Sequence, residues 1–143
     1  CGARVTDQGL IEGIAHDLLR DRAELGATDI KILADVDVKH SAPLAPRPIE
    51  DEVADMIERG LADAVIVSGA GTGKPTDPQH VRAVKTAAGA GVPVLIGSGV
   101  GADNVDMFDA VDGFIVGTAF KRGGDVTAAV DVARVKAFLR RVK

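Results

Sequence analysis

Short, almost uninterrupted aliphatic runs recur along this chain, each followed by a polar or glycine-rich segment and then by a helical pattern. The runs are Ile30–Val38, Ala64–Val67 (AVIV), Val92–Ile96 (VPVLI) and Gly113–Val116 (GFIV). A strand that is apolar on both faces cannot border water, so such runs belong in a parallel sheet covered on both sides. Between them the apolar spacing changes to the helical period. Leu10, Ile11, Ile14, Ala15, Leu18 and Leu19 form one stripe, stopped at Gly26. Ile49, Val53, Met56 and Ile57 form another, with Pro48 at the first helical position and Gly60 at the end. Val81, Val84 and Ala88 follow Asp77 as N-cap and Pro78 as N1. A short helix is expected around Asn104–Phe108, and a last one carries Val132, Val135, Phe138, Leu139 and Val142. Cys1–Thr6 reads as the end of a strand and a loop.

Alternating strands and helices define an α/β fold. Two successive strands near the C-terminus end in small glycine turns and the last helix closes the chain, which favours a (β/α)₈ barrel over an open sheet. A whole barrel takes about 250 residues, so 143 residues make a single domain equal to its C-terminal half, with the N-terminal half missing. Two open strand edges would invite association, so either a homo-oligomer or a missing N-terminal half is expected.

Composition narrows the function classes. Net charge is −4, Lys and Arg are interspersed with acids, and Trp and Tyr are absent; nucleic-acid binding wants the opposite. The single cysteine, Cys1, excludes an intrachain disulfide framework and suits a reducing cytoplasm. No apolar run approaches the roughly 20 residues that cross a bilayer, and no signal-peptide pattern is present.

Active sites of such barrels lie at the C-terminal ends of the strands. In Asp35-Val-Asp37-Val-Lys39-His40, alternation puts Leu33, Asp35, Asp37 and Lys39 on one face, towards the barrel mouth, and Ile32, Ala34, Val36 and Val38 towards the helices. Two carboxylates and an amine there suit proton transfer; the bland alternative is a hydrogen-bonded Asp35–Lys39 plug. His40 is either a fourth member or a loop cap. No cofactor fingerprint is present; a metal, if one binds, is a hard oxygen-ligated ion such as Mg²⁺ on Asp35 and Asp37.

The loop from Ser68 to Pro75 imitates a Walker A motif but has Ser68 in place of the first glycine and Pro75 in place of Ser/Thr, which excludes a P-loop. Its Ser68, Thr72 and Lys74 either reach an anion at the mouth or belong to a solvated glycine loop. Gly97-Ser98-Gly99 after one strand, and Gly117-Thr118 after the next, match the corner where barrels bind phosphate, because glycines let backbone N–H groups approach an anion. Lys121 and Arg122 lie just beyond; the alternative is tight turns demanded by barrel closure. Asp7, near the mouth, either meets a ligand or caps the first helix.

The stretches VTDQGLIEG, ILADVDVKHSAPLA, DAVIVSGAGTGKPTDP, VPVLIGSGV and DGFIVGTAFK, in that order, resemble the BtpA family (BtpA/SgcQ), named for a photosystem I biogenesis protein. The resemblance implies a ribulose-phosphate-binding type of (β/α)₈ barrel in chains about twice this long. For photosynthetic members it implies a peripheral thylakoid-membrane factor that stabilises reaction-centre proteins, with photosystem I subunits as partners. The family also occurs without photosystems, and it brings no catalytic residue. The residues themselves point to a phosphorylated small-molecule ligand, with isomerase- or epimerase-like proton transfer as the reaction; the alternative is a non-enzymatic assembly factor.

Overall fold

A computed structural model describes residues 1–36, 38, 40–69 and 76–142. In chain order its elements are β1 (Ala3–Thr6), β2 (Gly9–Glu12), α1 (Ala15–Glu24), β3 (Leu33–Asp35), β4 (Ser41–Pro43), α2 (Ile49–Ala54, continued by a wide turn over Asp55–Arg59), β5 (Ala64–Val67), α3 (Pro78–Ala88), β6 (Val94–Ile96), β7 (Gly113–Phe114) and α4 (Val132–Leu139). Single 3₁₀ turns lie at Val105–Met107, Thr118–Phe120 and Arg122–Gly124.

The core is a parallel four-stranded sheet in the order β3-β5-β6-β7, alternating with helices. Its register aligns Ala34 with Val65 and Val94, and Val67 with Ile96. Aligned residues share a face, and that face is sealed: Val65, Val67, Val94 and Ile96 are all 0% exposed. They pack with Val53 and Met56 of the α2 segment, Val81 and Val84 of α3, Val105 and Phe108 of the loop after β6, and Phe138 of α4. Each such side chain contributes roughly 1.5–3 kcal/mol by leaving water. The opposite face carries Leu33, Ile66, Leu95 and Ile115, and there Leu33 and Ile115 remain 46% and 45% exposed. Among the described residues, nothing covers this second face as a parallel sheet requires.

Aspartates that open strands tie the sheet together at its N-terminal edge. Asp63, just before β5, accepts hydrogen bonds from the Ile32 N–H (2.9 Å) and from Lys31 Nζ (2.9 Å). Asp112, just before β7, accepts from the Val94 N–H (2.7 Å) and from Lys85 Nζ (2.6 Å). The Ile32 N–H and then Lys31 hold the Asp63 carboxyl below its usual range; Lys85 and then the Val94 N–H do the same for Asp112.

A second, antiparallel sheet in the order β2-β1-β4 was not expected. Leu10 and Ile11 belong to β2 and not to the first helix. Thr6 Oγ1 accepts from the Gln8 N–H (3.1 Å) and donates to the Gly9 carbonyl (2.8 Å), closing a two-residue hairpin over Asp7-Gln8. Local turn chemistry thus outcompetes the helical period. Asp7 therefore sits in that turn and does not cap α1, whose N-cap is Ile14. The segment between β3 and α2 contains β4, which pairs with β1. Arg4 joins this sheet to α2, with Nε donating to Ser41 Oγ (2.7 Å) and Nη1 meeting Glu52 (3.3 Å).

The remaining differences are of extent. The Ile30–Val38 run contributes only Leu33–Asp35 to the sheet, and Ile30 is exposed in the preceding turn. Val92–Ile96 and Gly113–Val116 shorten to β6 and β7. Pro48 is the N-cap of α2, one place earlier than expected, and Asn104–Phe108 makes only the 3₁₀ turn. In α4 Phe138 is buried, but Val132 and Leu139 are exposed, because only one turn of that helix meets the sheet. Asp77 caps α3 as expected, accepting the Gln79 N–H at 2.9 Å, with Pro78 next. No helix among the described residues is long and apolar enough to cross a membrane.

Phe138 packs edge-on against Phe114 (centroids 5.6 Å apart) and Phe120 (5.3 Å). Phe138→Ala is expected to cost about 3–5 kcal/mol, read from urea unfolding. The depressed Asp112 carboxyl stabilises the fold fully above its unfolded value of about 3.9, and that stabilisation is lost as pH falls through the lower folded value. Asp112→Asn should therefore melt below wild type at neutral pH by roughly 2–4 °C, with the gap closing in acid.

Candidate functional site

The four parallel strands deliver their C-terminal ends to one edge, and the residues there are joined laterally. Asp35 ends β3, and Ser68 follows β5. Ser68, only 9% exposed, donates its hydroxyl to Asp35 Oδ1 at 3.2 Å. Gly97 follows β6, and its N–H donates to the Val67 carbonyl at 2.8 Å. A Cβ at 97 would lie 2.6 Å from Ile66 Cγ2 and 2.9 Å from Ser68 Oγ, so only glycine lets Ser68 stand between the strand ends. Thr76, 2% exposed, donates Oγ1 to the Ser98 carbonyl at 3.2 Å. Asp35, Ser68, Gly97, Ser98 and Thr76 thus form one continuous row.

Asn104 does not cap the short turn with its side chain; it clasps the loop before it. Its Oδ1 accepts the Gly101 N–H (2.9 Å) and its Nδ2 donates to the Gly99 carbonyl (2.8 Å). On the next loop, the Gly117 and Thr118 carbonyls accept from Phe120 and Lys121 N–H groups, both at 3.0 Å. Phe120 against Phe138 and Arg134 Nε on the Ala119 carbonyl (2.7 Å) hold this turn from below. The N–H groups of Ser98, Gly99, Gly117 and Thr118 donate to no described residue and sit at the exposed ends of the two loops. Uncommitted backbone N–H groups at glycine turns are donors that an anion can use.

The other candidates divide. His40 is exposed with a left-handed backbone (φ 54°), beside Ser41 of β4. Because Thr6 pairs with Ser41, Asp7 and His40 flank the same end of the small sheet, one short loop from Asp35. Asp37, Lys39, Thr72 and Lys74 lie outside the described residues. Lys121 bridges to Val130 through its backbone, and neither it nor Arg122 ion-pairs with a described residue. No group of three or more His, Cys, Asp or Glu stands ready for a metal among the described residues. Thr76 and Arg134 escaped the sequence reading. Thr76 follows a glycine-rich stretch of sequence and Arg134 lies in the first turn of the last helix, positions that only the packing connects to the strand ends.

The BtpA family model matches residues 1–143. This chain belongs to the BtpA family. It is 48% identical over 139 residues to the photosystem I biogenesis protein BtpA of Synechocystis, covering 96% of this chain and 48% of the relative. An uncharacterized protein of Thermococcus kodakarensis is 44% identical over 143 residues, 99% of this chain and 53% of its own length. A mitochondrial protein of Caenorhabditis elegans is 37% identical over 141 residues, 98% and 50% of the two chains. The chain thus spans about half the length of the curated relatives it matches. No solved structure matches.

Gly97→Ala should force Ile66 and Ser68 apart and lower stability by about 1–3 kcal/mol. Gly91→Ala, where a Cβ meets nothing within 4 Å, should stay within about 0.5 kcal/mol of wild type. Parallel denaturant melts compare the two.

Proposed function

We propose that these residues are the C-terminal half of a (β/α)₈ barrel of the ribulose-phosphate-binding type, whose mouth binds a phosphorylated small molecule. The observation that carries this reading is the row from Asp35 to Ser98 lying next to the uncommitted N–H groups of Ser98, Gly99, Gly117 and Thr118. A phosphate on those N–H groups places the rest of a sugar-phosphate- or nucleotide-like ligand over the strand ends. Asp35, held by the Ser68 hydroxyl at the end of β3, serves as acid or base in an isomerase- or epimerase-like proton transfer. Lys39 is the proposed source of the opposing charge, with Asp37 as a second proposed carboxylate.

The test is a thermal-shift screen of the full-length protein against phosphorylated sugars and nucleotides. A ligand at a hundred times its Kd stabilises by about 2.7 kcal/mol. Lys39→Ala is expected to reduce the shift, while Asp35→Asn keeps binding and loses turnover of the ligand found. A panel without a single stabilising member counts decisively against the reading.

The name of the Synechocystis relative favours a second reading, an assembly factor for photosystem I. Relatives in Thermococcus and Caenorhabditis show that the family extends beyond photosynthetic organisms. Affinity capture of the full-length protein from its own cells, returning reaction-centre subunits, is the result that this second reading needs.

A further inference from the structure

A cleft of about 320 Å³ opens beside the two glycine loops, lined by Gly101, Ala102, Asp103, Ala119, Phe120, Arg134 and Ala137. That volume is at the small end of ligand clefts, which run roughly 300–1,000 Å³. Two features build its shape. Gly101 is buried, and a Cβ there would lie 2.7 Å from Asp103 Oδ1 and 3.5 Å from the Ala119 Cβ, so any side chain at 101 would displace the Asp103 carboxylate. Arg134 spends Nε on the Ala119 carbonyl at 2.7 Å, which anchors one edge of the guanidinium. Its two Nη groups form no hydrogen bond or ion pair with any described residue. A planar fork held by one edge, with its other donors free, is arranged for bidentate contact with a tetrahedral oxyanion.

We infer that Arg134 is the charged wall of the anion site, completing with its guanidinium the binding of a phosphate group that the Gly99 and Gly117–Thr118 loops begin. The inference rests on the phosphate reading of those loops and adds the cation that the reading lacks. Lys121 and Arg122 follow the same loop with backbones committed to a bridge and a turn, whereas the Arg134 side chain bonds the loop itself from α4. Asp103 opposes this role from the other wall. Its carboxylate acts on Arg141, whose main partner is Asp106, but it remains a negative charge in a cleft meant for an anion. The two walls therefore make opposite predictions, which a merely structural Arg134 would not.

The experiment is calorimetric titration of the full chain with inorganic phosphate at fixed ionic strength, with thermal melts to confirm folding. Arg134→Gln, which keeps an amide donor for the Ala119 carbonyl, is expected to weaken phosphate binding about tenfold or more. Asp103→Asn, which removes no hydrogen bond to a described residue and only a weak charge interaction with Arg141, is expected to tighten it about threefold. Gly99→Val, which places a branched side chain at φ 72°, should abolish binding through the loop alone. If Gly99→Val abolishes binding while Arg134→Gln and Asp103→Asn both leave the affinity within about twofold of wild type, Arg134 is no part of the site and the loop reading stands without it. Absence of phosphate binding by the wild-type chain overturns both.

Discussion

Everything in this fold follows from a valine-rich sheet face that must be covered. Val65, Val67, Val94 and Ile96 are completely buried because α2, α3 and α4 lie across them. That single packing layer fixes which way every strand faces. Once Val36 and Val67 turn inward to the helices, Asp35 and Ile66 must turn outward, and the strand ends must present Asp35, Ser68 and Gly97 side by side. This row of strand-end residues is a by-product of the core's alternation and needs no separate instruction.

Much of this was legible in the residues, and the reasons differ by element. Ala64–Val67 and the Asp77-Pro78 helix start are strong local signals, aliphatic density in one case and cap chemistry in the other, and the structure agrees with both. The N-terminal stripe misled because Leu10 and Ile11 fit a helical period, yet the Thr6 hydroxyl closes a hairpin two residues earlier. A side chain bonding to its own backbone is decided over three residues and is invisible to an eleven-residue window.

The site shows the same division. Carboxylates and glycines at strand ends are readable, because strand alternation and the α/β rule say where they point. Thr76 on Ser98 and Arg134 on Ala119 join residues far apart in sequence, and no spacing announces them. They are consequences of α3 and α4 docking. Asn104 starts the short turn, as expected, but its side chain organises the loop before it, which no spacing announces.

The two edges of the sheet are built by different chemistry. At the opening edge, Asp63 reaches back to the N–H of Ile32, just before β3, and Asp112 to the first N–H of β6, so these two strands are each pinned by the neighbour that follows them in the sheet. A slip of one residue would move such a carboxylate by about 3.3 Å and turn each valine to the wrong side. These two aspartates therefore act as register pins, one for β3 on β5 and one for β6 on β7. The register they set at one end is what brings Ser68 to Asp35 at the other.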